Sequence, residues 1–476
     1  MSNISDLLFE KEECSTVFLK ASEVGERLNT PVYLVGGSVR DLLMNKMDYK
    51  DIDLMVEKDS AEFSNELAKA LGVKTVIAFE KFHTYKIPYN KIEIEVAAAR
   101  RETYSPDSRK PNQVTLTSVK DDLSRRDFTV NAIAVSLMKD NLGELFDPLN
   151  GIADLNKGIL ITPKDPDTTF SDDPLRMLRA IRFATTLKFK IDDKALESIK
   201  KQSHRIKIIS YERITAEIIK ILSADKPSIG FYLLKETNLL EYVFPELNVM
   251  SGVEVINGHG HKDVFIHTLE VVDNAAELSD KMDIRFAALV HDIAKPPTKK
   301  YYKNKGWTFH GHEEIGRRML RGVAKRMKLS KELRDYLMIL TKLHLRPIAL
   351  AKTNITDKAV RRVMYEAGEY IDDLMILCRA DVTTKNKKKI AKYMNNFERV
   401  ESLMADVKLK DEMKAFKCPV DGHIIMETFS LTEGRVVGIF KTRIEEAILD
   451  GDIENTYEAA YQYMLDIKDE VLNPKN

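Results

Sequence analysis

The sequence is short of the features that mark several special classes of protein. Its 476 residues include three cysteines, and these are Cys14, Cys378 and Cys418. Their wide spacing and odd number argue against a disulfide framework and indicate a reducing compartment. No run reaches the roughly eighteen apolar residues of a membrane helix, and the first residues lack the basic leader of a signal peptide. We therefore expect a cytoplasmic protein that does not contact membranes.

Net charge is also absent, because 74 Lys and Arg residues balance 74 Asp and Glu residues. Global attraction to a nucleic acid is therefore not expected, and a polyanionic partner would need local basic patches. One such patch lies between Lys295 and Arg334, and a second is the run 385–389. Most charge runs are solvated helix faces, so neither patch alone predicts binding.

The chain is too long for one hydrophobic core. Its first 150 residues alternate between strand-like and helix-like patterns, with strands predicted at 32–35, 52–56 and 92–97. The run 102–112 has two prolines and no apolar periodicity, which predicts a loop. Beyond Gly151 strand signals nearly vanish and helical periodicity dominates. We predict an α+β protein with a small N-terminal α/β head and a mostly helical remainder.

Two carboxylates stand side by side in the second predicted strand. Asp51 and Asp53 are two residues apart, and period-two geometry places both side chains on the same face. Such a pair repels unless a cation lies between its members, and carboxylate oxygens suit Mg²⁺. Glu95, on the third predicted strand, could supply a further oxygen.

A glycine turn precedes this pair. Gly36 and Gly37 follow the first strand, and Ser38 begins a predicted helix that contains Arg40. A strand, a glycine turn and a helix N-terminus present backbone N–H groups to an anion, and an arginine one turn later can add a forked cation. The pattern is therefore a hypothesis for phosphate binding, although a Gly-Gly pair alone is commonly an ordinary turn.

A second motif places carboxylates and guanidinium groups together. Asp173, Arg176 and Arg179 are three residues apart, which predicts that they line one edge of a helix over 172–187. An Asp–Arg edge accepts one hydrogen bond and donates another. Cytosine and adenine present the complementary pattern, whereas uracil and guanine place a carbonyl opposite the carboxylate. Such an edge could select C or A without a nucleic-acid template.

Histidines cluster in the second half of the chain, where seven of the ten lie between His259 and His344. His291 and Asp292 are adjacent, and further nitrogen and oxygen donors precede and follow them. Donors this far apart in sequence meet only when helices pack around a common point, as in metal sites of helical bundles. The predicted ligands are His267, His291, Asp292 and Asp381, with His312 and His344 as a second position.

The ordered motifs identify a resemblance. LVGGSVRDLL, KDIDLMV, EVAAAR, DLSRRDFTVNAIA, DDPLRMLRAIRFA and ERITAEI resemble the bacterial-type (class II) CCA-adding tRNA nucleotidyltransferases and the related poly(A) polymerases. The region 262–385 resembles the HD phosphohydrolases. The resemblance implies a polymerase-beta-like head over 1–150, a helical neck over 151–245, an HD domain over 255–385 and an RNA-binding helical tail over 386–476.

The resemblance also implies an activity and residue roles. Asp51, Asp53 and Glu95 would be catalytic, and Asp51 and Asp53 would hold Mg²⁺; a divalent transition metal could occupy the HD site. The reaction would be template-independent addition of C, C and A to the 3′ end of tRNA from CTP and ATP. The nucleotide-binding residues would be Gly36, Gly37, Ser38, Arg40, Arg126, Asp173, Arg176, Arg179 and Arg182.

Three alternatives remain open at the sequence level. The protein could be a poly(A) polymerase, although the Gly-Arg-Arg-Phe-type signature of that branch is absent near 80–87. It could add only CC or only A. In a different class, the HD region could be the active phosphodiesterase or phosphatase, and the head a non-catalytic RNA-binding module. The sequence does not predict the oligomeric state.

Overall fold

The computed structural model describes residues 3–10, 12–46, 50–105, 108–256, 259–260, 263–350, 357–406 and 418–472. The chain divides into two compact units, Met1–Asn248 and Val249–Asn476. Within the described ranges, no helix combines the length and the apolar character needed to cross a membrane.

A seven-stranded sheet lies at the centre of the first unit. The strands of this unit are β1 (Val32–Val35), β2 (Asp51–Val56), β3 (Ile77–Phe79), β4 (Thr84–Tyr89), β5 (Ile92–Ala98), β6 (Arg100–Ser105), β7 (Ser108–Leu116), β8 (Ala134–Ser136), β9 (Leu145–Phe146), β10 (Ile159–Leu160) and β11 (Lys190–Ile191). The sheet order is β3-β4-β5-β2-β1-β8-β9. β2 and β5 are parallel, and the other neighbours are antiparallel. The predicted strands at 32–35, 52–56 and 92–97 are thus confirmed.

Helices pack on both faces of this sheet, and further helices follow it along the chain. They are α1 (Ser5–Leu8), α2 (Glu12–Arg27), α3 (Gly37–Leu43), α4 (Ser60–Ala70), α5 (Val119–Ser124), α6 (Gly151–Lys157), α7 (Pro166–Asp172), α8 (Leu175–Leu187), α9 (Asp193–Gln202), α10 (Tyr211–Leu222), α11 (Ser228–Glu236), α12 (Leu239–Val243) and α13 (Pro245–Asn248). Phe18 of α2 and Phe63 of α4 pack in one core with Ile52 and Leu54 of β2. The alternate β2 residues Asp51 and Asp53 are left on the opposite face.

The predicted loop over 102–112 is wrong. β6 and β7 pair antiparallel, with Arg100 opposite Leu116 and Thr103 opposite Gln113. Their backbone hydrogen bonds form the hairpin, and a two-stranded ribbon can form without an apolar face that sequence periodicity would reveal. Pro111 lies within β7, and such a ribbon tolerates proline because each strand has an unpaired edge. Pro106 lies outside the described residues.

The predicted helix over 172–187 is two helices. α7 ends at Asp172 and α8 begins at Leu175. The cause is Pro174, which disfavours the helical conformation for the residue before it; Asp173 accordingly has φ −140° and ψ 100°. Asp173 is therefore not on the same helix as Arg176, and the predicted helical edge is corrected to a helix start.

Helices dominate the second unit. They are α14 (Val264–Leu278), α15 (Met282–Val290), α16 (Lys295–Thr298), α17 (His312–Met327), α18 (Lys331–Leu343), α19 (Arg346–Leu350), α20 (Asp357–Ala367), α21 (Ile371–Ala380), α22 (Lys387–Asp406), α23 (Gly422–Phe429), α24 (Arg435–Asp450), α25 (Tyr457–Asp466) and α26 (Lys468–Leu472). Two short hairpins accompany them, β12 (Val255–Ile256) with β13 (His259–Gly260) and β14 (Lys300–Tyr302) with β15 (Gly306–Thr308). The helices α23–α26 share their own core around Phe440, Ile444 and Met464.

Candidate functional sites

The predicted carboxylates lie on two neighbouring strands at the centre of the sheet of the first unit. Asp53 of β2 lies directly opposite Glu95 of the parallel strand β5, and Asp51 is two residues earlier on the same face. Ser38 links the helix α3 to this strand: its hydroxyl donates to the Asp51 carbonyl at 3.3 Å and accepts from the Asp53 N–H at 3.4 Å. The glycine turn and the carboxylate strand are therefore held in one arrangement.

Asp53 lies in an environment that opposes its ionisation. Burial, followed by the neighbouring Glu95 carboxylate, raises the pKa of Asp53 from 3.8 to about 6 against the opposing effect of Arg126. A carboxyl that is crowded by other carboxylates becomes fully ionised when a cation binds beside it. The oxygens of Asp51, Asp53 and Glu95 thus fit a hard divalent cation.

Gly36 brings the turn into contact with this centre. Its φ of +74° is readily adopted only by glycine, and an added Cβ would lie 2.9 Å from Arg126 Nη1 and 3.3 Å from Asp53 Oδ2. The backbone therefore passes close to both a carboxylate and a guanidinium group. A bound anion would have access to main-chain atoms at this point.

A cleft of about 550 Å³ opens beside these residues. Seven arginines and three aspartates contribute to its lining, so the local charge is positive although the chain is neutral. A polyanion is the ligand that such a cleft favours. Its lining is Gly36, Gly37, Arg40, Asp53, Arg125, Arg126, Asp127, Asn131, Asp173, Leu175, Arg176, Arg179, Arg182, Phe183 and Arg213. Of the predicted residues of this site, Ser38, Asp51 and Glu95 lie outside that lining.

An aromatic ring organises the arginines on one side of the cleft. The guanidinium carbons of Arg40, Arg179 and Arg182 lie 5.0, 5.3 and 3.7 Å from the centre of the Phe183 ring, distances typical of cation–π contacts. Arg40 also donates to Asn131 Oδ1 at 2.7 Å and to both carboxylate oxygens of Asp41. Its guanidinium is therefore held in place from several sides.

Buried carboxylates fix two of these arginines. Asp127 Oδ2 lies 2.6 Å from Arg179 Nη2, and the Arg179 charge holds the pKa of the Asp127 carboxyl well below its usual range despite burial, which alone would raise it. Glu217 Oε2 of α10 accepts from Arg182 Nε at 2.6 Å. Both pairs hold their guanidinium groups at the cleft.

Asp173 and Arg176 face the same cleft from the start of α8. One Asp173 carboxylate oxygen accepts from the Leu175 N–H at 3.1 Å, and the Asp173 carbonyl accepts from the Arg176 N–H at 3.0 Å. Arg176 donates through Nη2 to the Arg125 carbonyl at 2.6 Å. Both side chains are thus oriented by main-chain contacts, and both line the same cleft.

In the second unit, the six predicted metal ligands converge. His267, His291 and Asp381 form one group, and Asp292, His312 and His344 form a second. Asp292 links them, since its Oδ2 lies 3.2 Å from His291 Nε2 and its Oδ1 lies 3.3 Å from His312 Nε2. The arrangement resembles a two-position metal site bridged by one carboxylate.

The histidine tautomers suit metal binding. The Nδ1 atoms of His291, His312 and His344 lie 2.7–2.8 Å from backbone carbonyls, so each ring can donate outward from Nδ1 and direct Nε2 inward, where a bound metal would displace any proton from it. His291 Nε2 and Asp292 Oδ2 are buried and lie 3.2 Å apart at the centre of the cluster, and Lys295 Nζ lies 2.5 Å from the same carboxylate oxygen. Nitrogen and oxygen donors together fit a divalent transition metal.

Comparison with known proteins assigns the chain to a family. Residues 32–161 match the family described as "Poly A polymerase head domain", 188–250 match "Probable RNA and SrmB- binding site of polymerase A", and 264–386 match "HD domain". The "Multifunctional CCA protein" of Tolumonas auensis is 31% identical over 376 residues, which cover 74% of this chain and 84% of that protein. The chain belongs to the family of multifunctional CCA proteins. This family consists of nucleotidyltransferases, so the resemblance drawn from the motifs is confirmed.

Solved structures of CCA-adding enzymes share the fold. The Bacillus stearothermophilus CCA-adding enzyme in complex with CTP is 21% identical, with a TM-score of 0.65 over 96% of this chain and 98% of that chain. The Thermotoga maritima CCA-adding enzyme complexed with tRNA is 20% identical, with a TM-score of 0.59 over 98% of each chain. The predicted α+β architecture is confirmed.

Several residues of this CCA-protein cleft were not among the predicted site residues. They share the role of orienting the predicted arginines or lining the cleft, and they are Arg125, Asp127, Asn131, Phe183, Arg213 and Glu217. Asp127 and Asn131 stand inside the motif RRDFTVNA, where Asp127 directly follows Arg126. An acid next to predicted phosphate-binding arginines is the signal that could have identified Asp127.

Proposed function

We propose that the protein adds C, C and A to the 3′ end of tRNA from CTP and ATP without a nucleic-acid template. The observation that carries the proposal is the single cleft in residues 1–248, which joins Asp53 and Arg126 to Asp173 and Arg176. Family membership and the names of the relatives support the same reaction. Its partners are tRNA, ATP and CTP, and its compartment is the cytoplasm.

In this proposal the carboxylates hold Mg²⁺. Asp51 and Asp53 are the ligands, and Glu95, opposite Asp53 in the sheet, is the third oxygen donor. When bound, Mg²⁺ supplies charge neutralisation at the phosphates and favours ionisation of the attacking hydroxyl. The tRNA 3′ oxygen forms a bond to the α-phosphorus of the nucleotide, the bond from that phosphorus to the bridging oxygen breaks, and pyrophosphate leaves.

The turn and the arginines bind the triphosphate. Gly36 and Gly37 offer main-chain atoms, Ser38 fixes the carboxylate strand, and Arg40 and Arg126 supply positive charge. Phe183 and Asn131 keep the Arg40 guanidinium beside the cleft. The triphosphate is thereby placed next to the carboxylates rather than elsewhere on a neutral protein.

Asp173 and Arg176 select the base. The carboxylate accepts from the amino group of C or A, and the guanidinium donates to the adjacent ring nitrogen or carbonyl. Arg179 and Arg182 support this face of the cleft through their pairs with Asp127 and Glu217. A carbonyl of U or G opposite the Asp173 carboxylate would leave both acceptors unpaired, which is the source of discrimination.

The domains divide this work. Residues 1–150 form the catalytic head, 151–245 the neck that contains the base-selecting residues, and 386–476 the tail that binds RNA. Residues 255–385 form the HD domain.

The test of the catalytic assignment is transfer of labelled CTP and ATP to tRNA that lacks its 3′ end. Asp53→Ala should abolish transfer, and Asp140→Ala, an exposed acid outside the cleft, should not. Arg176→Ala should lose the preference for C and A over U and G while it retains transfer. Arg27→Ala, whose side chain is 57% exposed and pairs with Glu66, is the matched arginine control.

A second function is supported by the ligand cluster in residues 255–385. The six converging donors, with His291 Nε2 buried among the carboxylates of Asp292 and Asp381, fit a metal-dependent phosphohydrolase. A divalent transition metal would be held by His267, His291, Asp292 and Asp381, with His312 and His344 at the second position, and would supply an activated water and a Lewis acid. Hydrolysis of a 2′,3′-cyclic phosphate, with His291→Ala as the inactive control, tests this activity separately from nucleotide addition.

The other reactions open to the head make different products. A poly(A) polymerase would extend RNA with ATP and ignore CTP, and a partial enzyme would stop after CC or add only A. The terminal sequence of the RNA product separates these outcomes.

A further inference from the structure

A small cavity of the second unit lies next to the metal-ligand cluster and has no part in the functions above. It encloses about 290 Å³. The segment 249–254 forms one side of it, and Val264, Pro296, Lys299 and Phe309 form the other. All of these residues belong to the same compact unit.

The walls of this cavity come from the elements that carry the ligands. Val264 is three residues before His267 on α14 and therefore lies on the same side of that helix. Pro296 directly follows Lys295. The Phe309 carbonyl lies 2.7 Å from His312 Nδ1 and so orients that ligand. Helix α14, the segment 295–296 and the segment 309–312 thus each contribute both to the cavity wall and to the metal-ligand cluster or its surroundings.

Lys295 contacts both the metal-ligand cluster and the cavity wall, and it therefore limits the distance between them. Its Nζ lies 2.5 Å from Asp292 Oδ2 and 5.8 Å from the centre of the Phe309 ring. The ring centre can lie no further from the bridging carboxylate than these two distances combined. A single nucleoside spans that separation.

Part of the cluster is reached by solvent. The side chains of His267, Asp381 and Lys295 are 12, 15 and 22% exposed, whereas those of His291 and Asp292 are at most 1% exposed. A substrate therefore reaches the cluster past its exposed members. Of these, the ligand His267 and the neighbouring Lys295 stand on the segments that also supply the cavity walls Val264 and Pro296.

The chemistry of the lining matches a small, flat group that carries polar atoms along its edge. Phe309 offers an aromatic face, and Val253, Val264 and Pro296 add aliphatic contacts. Lys299 Nζ lies 3.1 Å from Glu254 Oε1 at the cavity, which places a donor and an acceptor side by side. The volume is slightly below the roughly 300 Å³ at which sites for drug-sized ligands begin, so it suits one base rather than a larger ligand.

We infer that this cavity binds the base of the nucleotide whose phosphoester is hydrolysed at the metal cluster. The inference rests on the phosphohydrolase function proposed for residues 255–385 and names its substrate class, a nucleoside cyclic phosphodiester. A water oxygen bonds to phosphorus, one ester P–O bond breaks, and the proton from water passes to the departing sugar oxygen. The step needs neither an oxidant nor a reductant.

The test compares two cyclic diesters that share the reacting ring. Adenosine 2′,3′-cyclic phosphate carries a base, and glycerol 1,2-cyclic phosphate does not. Val253→Trp fills the cavity from the exposed segment without touching a ligand, and Val255→Trp is the matched control, because Val255 is 65% exposed and outside the lining. Phe309→Ala is the second variant.

Val253→Trp and Phe309→Ala should each lower kcat/KM for the adenosine diester about tenfold relative to the glycerol diester, the effect of losing one contact to a base. Val255→Trp should leave this ratio unchanged. A ratio that is equal in wild type, Val253→Trp and Phe309→Ala overturns the inference. A tRNA ending in 2′,3′-cyclic phosphate, assayed in parallel, shows whether the nucleotide is an RNA terminus or free, and the base subsite stands in either case.

A wild-type protein that hydrolyses neither diester would refute the phosphohydrolase function and not yet the subsite. Binding then decides: Mn²⁺-dependent affinity for adenosine 2′-phosphate should fall in Val253→Trp and not in Val255→Trp. Both substitutions lie outside residues 1–150. Binding of the nucleotide to the head should therefore contribute equally to the affinities of Val253→Trp and Val255→Trp. Equal affinities would overturn the subsite as well.

Discussion

Replacement of Asp53 by asparagine should make the first unit more stable while it removes nucleotide addition. In the folded protein burial, and next the Glu95 carboxylate, raise the pKa of Asp53 from 3.8 to about 6. Ionised Asp53 therefore costs folding free energy at neutral pH. The pKa change corresponds to about 3 kcal/mol. Because the side chain is only partly buried and solvent screens its charge, we expect Asp53→Asn to gain about 1–3 kcal/mol at pH 8 without metal.

The sign of the pH dependence follows from proton binding. Between about pH 4 and pH 6 the folded protein holds the Asp53 proton more tightly than the unfolded chain does, so stability falls as pH rises through this range. The advantage of Asp53→Asn should therefore vanish near pH 4 and be complete above pH 6. Added Mg²⁺ should reduce it, because the cation stabilises the wild-type carboxylates and not the amide.

The single tryptophan makes the measurement specific. Trp307 belongs to the second unit, so its fluorescence follows unfolding of that unit, whereas far-UV circular dichroism follows both. A urea-induced transition that is seen by circular dichroism but not by Trp307 fluorescence is therefore the unfolding of the first unit. An Asp53→Asn midpoint at or below that of wild type at pH 8 in EDTA, or an advantage that grows as pH falls, would refute the reasoning.

Three further predictions concern other residues. Asp127→Asn should destabilise the first unit by about 2 kcal/mol in the same urea assay, because the Arg179 guanidinium loses its charge partner; an unchanged midpoint would contradict the pairing. Gly36→Ala should raise KM for CTP and ATP, because its Cβ would displace Arg126, whereas Gly72→Ala, at another glycine with a positive φ, adds a Cβ that has no neighbour within 4 Å; equal kinetics would count against the role of the turn. His291→Ala should lower bound transition metal, measured by atomic emission, and leave CCA addition intact; loss of addition would contradict two separate sites.

The sequence predicts those parts of the site that depend on local geometry. Asp51 and Asp53 share a face because side chains of a strand alternate between its two faces. Gly36 is recognisable as a turn residue because it directly follows the apolar run 32–35. The metal ligands were recognisable from residue type and order. Each of these features can be predicted because it depends on a few neighbouring residues or on the order of residues in a known motif.

Features that depend on tertiary pairing were missed. Asp127 meets Arg179 across 52 residues and Glu217 meets Arg182 across 35, and no periodicity encodes either contact. The bridging position of Asp292 is likewise set by how α14, α15, α17 and α18 pack. The β6–β7 hairpin carries no periodic signal because its strands pair through backbone groups. Helical periodicity continues through 172–187, and it does not reveal that Pro174 takes Asp173 out of the helical conformation.

The most direct test of the central claim is the 3′-terminal sequence of the RNA made by the purified protein. It should be given tRNA that lacks its last three nucleotides, all four nucleoside triphosphates and Mg²⁺. The cleft around Asp53, Asp173 and Arg176 predicts a product that ends in CCA, with no addition of U or G. A homopolymer of A, or a product unchanged from the starting tRNA, would contradict the account.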